Sequence, residues 1–145
     1  MDDIRIRTAT PADLEAIVAN NLALAAESEG LTLDPQTVRA GVRRALADRR
    51  RGTYYLAERG QQVVGQLLIT REWSDWRDGW FWWIQSVYVV PAARRGGVYR
   101  ALYRHVERRG RSTPGVCGLR LYVDRHNAVA RAAYERLGML PTNYE

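Results

Sequence analysis

The run from Trp80 to Val90 (WFWWIQSVYVV) is too aromatic and too β-branched to be a helix. Pro91 closes it, because proline has no N–H to give and disfavours helix at the residue before it. A strand of this kind needs a sheet around it, and the sheet needs partners on its faces. The neighbouring segments supply them. Ile4 to Thr8 alternates apolar and polar residues as a strand does, and so do Thr53 to Arg59 and Val63 to Thr70, with Gly60-Gln61 as the turn of a hairpin. Cys117 to Val123 reads as a further strand, and Met139 to Tyr144 as a short final one.

Helices fall between these strands. Thr10-Pro11-Ala12-Asp13 is a start signal: a capping hydroxyl, a proline in the first turn and an acid at the positive end. The helix it opens fades near Glu29-Gly30. Asp34-Pro35 opens a second, with Val38, Val42 and Leu46 on one face. Val98 to Arg109 and Asn127 to Leu137 are the third and fourth, and Gly138 is suited to closing the last. The order predicts an α/β (α+β) fold in three layers within a single domain, 1–145. Its central sheet is mixed, mostly antiparallel, with four flanking helices.

With 145 residues, 46% apolar and 26% charged, the chain can bury a core without metals or disulfides. Its single cysteine, Cys117, cannot form an internal disulfide. No run is long and apolar enough for a membrane span, and the start is not a signal peptide, so a cytoplasmic protein is expected. The net charge of +6 favours anionic partners. Arginine carries that charge without zinc-finger spacing or a helix-turn-helix pair, so neither nucleic acid nor membrane is the expected partner. His105 and His126 lack the companions of a metal site.

The segment Val89-Val90-Pro91-Ala92-Ala93-Arg94-Arg95-Gly96-Gly97-Val98-Tyr99 carries the chemistry. A strand ends, a loop turns and a helix begins, so unpaired N–H groups and the positive helix end point into the loop. Gly96 and Gly97 permit close backbone approach, and Arg94 and Arg95 add donors. Such a turn can hold a pyrophosphate. Neither a GxxxxGK[ST] loop nor a GxGxxG turn after an early strand is present.

This loop resembles the acyl-CoA-binding loop of the GNAT acetyltransferase superfamily, whose pattern is Gln/Arg-x-x-Gly-x-Gly/Ala after a strand ending Val-x-Pro. Arg94, Gly97 and Val89-Val90-Pro91 match, while Tyr99 stands where the family has a small residue. The segment from Leu121 to Met139 resembles the family's last block, with Asn127, Ala130, Tyr134 and Gly138 in register. The resemblance implies a sheet of six or seven strands, the seventh short, absent or supplied by a partner in a homodimer. It implies acetyl-CoA as co-substrate and transfer of its acetyl group to a primary amine.

By the same resemblance, the backbone of Arg95, Gly96, Gly97, Val98 and Tyr99 holds the pyrophosphate. Tyr88 and Val89 border the pantetheine arm where the strand splays from Leu119 to Val123, and Asn127 touches that arm. Tyr134 is the candidate general acid for the leaving thiolate. No aspartate or glutamate lies between Trp80 and Val106, which rules out a carboxylate base on that strand. Glu29 or Glu27, at the loop between the first two helices, is the favoured candidate, with a water relay as the alternative. Gln85 is a candidate for touching the acceptor, and Trp73 and Trp76 for lining its pocket, which favours a small-molecule amine. A protein or peptide acceptor, or an inactive acyl-CoA-binding regulator, are the other readings.

Overall fold

An arginine staple sets the start of the chain. The computed structural model describes residues 3–142. Arg7, on strand β1 (Ile4–Thr8), donates twice to the buried Asp13 at 2.8 Å and once to Glu58 at 2.6 Å. Asp13 also accepts from the Thr10 backbone at 2.7 Å, closing the one-turn 3-10 helix Pro11–Asp13 that leads into α1 (Leu14–Glu29). Gly30, at φ 64°, ends α1 in the left-handed conformation, and the Leu31 N–H reaches back to the Ala25 carbonyl. Asp34 caps α2 (Pro35–Ala47), accepting from Gln36 N and Thr37 Oγ1.

The middle of the chain forms β2 (Thr53–Arg59), β3 (Gln62–Ser74) and β4 (Gly79–Val89). Helix α3 (Val98–Ser112) then crosses back to β5 (Val116–Leu121), and α4 (Ala128–Arg136) follows. The sheet order is β1-β2-β3-β4-β5, antiparallel except for β4 and β5, which the α3 crossover makes parallel. On one face, Val98, Leu102 and Val106 of α3 pack against Leu67, Ile69, Trp82 and Ile84. On the other, Ile17 and Val18 of α1 and Val42 of α2 pack against Tyr54 and Leu56. Helix α1 lies against β4 and α2 against β2, while Gln85 of β4 and Tyr122, just past β5, remain exposed.

The expected sheet of six or seven strands is corrected to five among the described residues. Residues 139–142 of the final strand expected over Met139 to Tyr144 pair with nothing, and Pro141 has no N–H to offer a ladder. Residues 143–145 lie outside the described part. Four helices flank the sheet as expected. Strand β3 runs on to Ser74 where the sequence suggests a loop, because Trp73 pairs directly across from Trp80 with the rings 5.1 Å apart.

Gly65 lets α3 sit close to the sheet. A Cβ there would lie 2.6 Å from Val98 Cγ1 and 3.4 Å from the Tyr88 carbonyl oxygen. Gly65→Ala is expected to push the first turn of α3 outward and to cost about 1–3 kcal/mol. Urea unfolding checks this, and an unchanged midpoint would mean that α3 has slack at this contact.

Candidate active site between β4 and β5

The two parallel strands part company half-way along. Their pairing ends at Ile84 opposite Leu121, while β4 continues to Val89 beside β3 alone. Among the described residues no strand pairs with residues 85–89 on the β5 side. Within this stretch β4 carries a bulge, with Ser86 and Val87 together opposite Leu67 and Ser86 at φ 50°. A buried polar chain anchors the bulge. Gln66, with none of its surface exposed, donates to the Ser86 carbonyl at 3.0 Å and to Asn21 Oδ1 at 2.8 Å. Gln66 also accepts from Asn20, and Asn21 donates to the Tyr54 hydroxyl. The bulge is thereby tied to α1.

At the C-terminal end of β4 the chain makes a short 3-10 turn, Pro91–Ala93, and then the loop before α3. Arg95 (φ 69°) and Gly97 (φ 79°) both take the left-handed conformation, which curls successive N–H groups inward as an anion nest does. No side chain caps α3, so the N–H groups of its first turn remain available. The space beside Gly97 is empty within 4 Å of where a Cβ would be.

Arg59 also reaches this loop. A Cβ on Gly96 would lie 3.2 Å from Arg59 Nη2, and the buried Nε of Arg59 has no hydrogen-bond partner. A buried guanidinium N–H without an acceptor is costly. Sequence reasoning missed Arg59, since only the packing of α3 across β2 brings the two segments together and no local motif marks it.

Several of the sequence-predicted residues meet here. Glu27, in the last turn of α1, accepts from Arg94 Nη2 at 2.9 Å and from the Tyr88 hydroxyl at 3.4 Å. Arg94 Nε donates to the Val89 carbonyl at 2.9 Å, and its guanidinium lies over the Tyr88 ring. Burial, and next the Glu27 carboxylate, push the Tyr88 phenol above its ordinary value. Glu29 stands exposed two residues further on.

Tyr99 turns inward against the core, its ring 6.3 Å from Tyr103 and 5.7 Å from Tyr134, and its buried hydroxyl makes no hydrogen bond. Burial raises the pKa of Tyr134, with the neighbouring Tyr99 hydroxyl offsetting part of the shift. Asn127 caps α4, accepting from Ala130 N at 3.0 Å, which leaves its amide donors free of that duty.

Gln85 projects on the α1 side of the sheet, opposite Leu68, and bonds Thr70 Oγ1. On the same open face Trp83 stacks on Tyr122 with centroids 4.6 Å apart, and Glu72 accepts from Trp83 Nε1 and Arg120 Nη1. Trp73 does not join this group, because its pair with Trp80 puts it on the α3 side. Trp76 is 92% exposed at the β3–β4 turn. Among the described residues no group of three His, Cys, Asp or Glu side chains could hold a metal ion, and no helix is long and apolar enough to cross a membrane.

Residues 21–139 match the acetyltransferase (GNAT) family. Over 98% of its length the chain resembles the crystal structure of a possible acetyltransferase from Clostridium difficile 630, at 41% identity, TM-score 0.92 and 93% coverage of that chain. A transcriptional regulator from Bacillus halodurans C-125 is 25% identical at TM-score 0.81, over 99% of this chain and 96% of that one. A predicted acetyltransferase from Clostridium acetobutylicum, solved with acetyl-CoA, shares the fold at 15% identity and TM-score 0.79, over 99% of this chain and 94% of that one. A search of curated proteins gave no match.

Proposed function

Because this chain belongs to the acetyltransferase (GNAT) family and is an acetyl-CoA-dependent N-acetyltransferase, we propose that the gap between β4 and β5 takes the pantetheine arm of acetyl-CoA and that the loop before α3 takes its pyrophosphate. The orphaned Nε of Arg59, buried against Gly96, is the observation that carries this reading. A phosphate oxygen is the acceptor it lacks. The uncapped N–H groups of Val98 and Tyr99, with the nest made by Arg95, Gly96 and Gly97, offer the remaining donors. Tyr88 and Val89 line the unpaired edge of β4, and the free amide donors of Asn127 face the same arm from the start of α4.

The co-substrate supplies a thioester, whose carbonyl carbon the amine attacks directly. The C–N bond forms as the C–S bond breaks. Tyr134 gives its proton to the departing sulfur and regains one from solvent. Burial raises its pKa, so the phenol carries its proton at neutral pH, as an unperturbed phenol also would. Glu29 or Glu27 takes the proton of the acceptor ammonium, with a water relay as the alternative. Arg94 donates to Glu27, and transfer of that donor to a phosphate oxygen would free the Glu27 carboxylate to act as a base. The acceptor is a small-molecule primary amine, supported by the Trp83–Tyr122 stack beside Gln85, an aromatic wall for its cation.

Calorimetric titration with acetyl-CoA tests the cradle. Arg59→Gln is expected to weaken binding about tenfold to a hundredfold, the worth of one charge-assisted hydrogen bond. Wild-type affinity in the variant would place the pyrophosphate elsewhere. Turnover with polyamines and other small amines, compared with peptide N-termini, tests the acceptor class, and a preference for peptides would overturn it.

A further inference from the structure

A second concave site lies on the opposite face of the sheet, where α3 ends and β4 and β5 begin. It is a cavity of about 320 Å³, near the lower end of the range of small-ligand sites. Tyr55 and Trp82, both almost fully buried, form its floor, and Trp80, 43% exposed, forms a wall. Arg49, Arg71 and Arg109 stand around it, and no carboxylate lines it.

The charge balance of this cavity is unusual. Among the described residues none of the three arginines has a carboxylate partner. Arg71 donates only to the Arg49 carbonyl at 3.1 Å and to Thr53 Oγ1 at 3.2 Å, with its guanidinium over the Trp82 ring. Acids are close in sequence but already engaged. Asp48 holds Arg50 and Arg51, and Glu107 holds Arg104 and Arg111. His105, whose ring lies 5.4 Å from that of Tyr55, borders the same region, and burial first, then Arg108 and Arg109, keep its imidazole below the ordinary value.

Three uncompensated guanidinium groups around an aromatic floor ask for an anion with a flat ring. The geometry points to a binding site here for a small aromatic anion, a phosphate or carboxylate borne on a planar ring, with the charge on the arginines and the ring against Trp80. The site is separate from the transferase cleft. Arg109 lies eleven residues along α3 from Val98, about 16 Å at 1.5 Å per residue, and on the far side of the sheet from Gln85 and Tyr88.

Calorimetric titration of the full chain with adenosine 5′-monophosphate, 1-naphthoate and inorganic phosphate tests the assignment. At least one ring-bearing anion is expected to bind with a stoichiometry of one, about tenfold or more tighter than phosphate, and the tighter of the two identifies the source as nucleotide or aryl carboxylate. Arg109→Gln, an exposed substitution, and Trp80→Leu are each expected to weaken that binding about tenfold or more, with acetyl-CoA affinity unchanged. Absence of binding by both ring anions, phosphate binding as tightly as either, or affinity unchanged in both variants would overturn the proposal. The last result would also place the nucleotide in the acetyl-CoA cleft.

Discussion

Tyr134→Phe is expected to lower kcat about a hundredfold to ten-thousandfold, the usual worth of a positioned general acid. The KM for acetyl-CoA should move by no more than about twofold, because the ring that packs against Tyr99 is retained. A thiol-release assay at saturating acceptor gives both constants. The pH profile adds a test of sign. Burial raises the Tyr134 pKa, so the phenol stays protonated through neutrality, and loss of the acid should begin only above the ordinary phenol value of about 10. A variant with nearly wild-type kcat would show that solvent protonates the leaving sulfur and would leave Tyr134 as a packing residue.

Asp13→Ala should carry the largest stability cost, about 3 kcal/mol. It removes a buried carboxylate held by two Arg7 donors and by the Thr10 N–H, and leaves Arg7 with Glu58 and the Thr8 carbonyl as partners. Hydrogen bonding to Arg7, above all, holds the Asp13 carboxyl below its ordinary value of about 3.9. A depressed carboxylate pKa stabilises the fold above the unfolded value, and the contribution is lost as pH falls through the folded value. The difference in urea midpoint between wild type and variant should therefore be full at pH 7 and shrink below about pH 4. An equal gap at pH 7 and at pH 3 would mean that the carboxylate charge contributes nothing and that the loss is steric.

Features set by local chemistry were legible in the sequence. Asp34-Pro35 marks a helix start wherever it is exposed, and the end of β4 followed by Pro91 and Gly96-Gly97 announces its turn through residue types alone. What was illegible depends on chain segments far apart meeting. Glu27 and Arg94 are 67 positions apart, and nothing local says that one will hold the other. Arg59 looks like any strand-end arginine until α3 is laid across it. The final strand failed for the converse reason. Met139 to Leu140 looks strand-like, but without a neighbour to pair with and with Pro141 next, the propensity has no ladder to act on. The face of Trp73 was hidden in the same way, since a residue read as loop has no alternation to assign it.

The bulge at Ser86 shifts the phase of β4. Strict alternation would send Gln85 and Tyr88, three positions apart, to opposite faces, yet both look toward α1 because one extra residue is absorbed between them. The proposed acceptor wall and the proposed cofactor edge share one side of the sheet only through that extra residue. The strand should accordingly tolerate changes of side chain at Ser86 better than changes of length. Deleting a single residue there would restore regular alternation and leave the two halves of the site back to back.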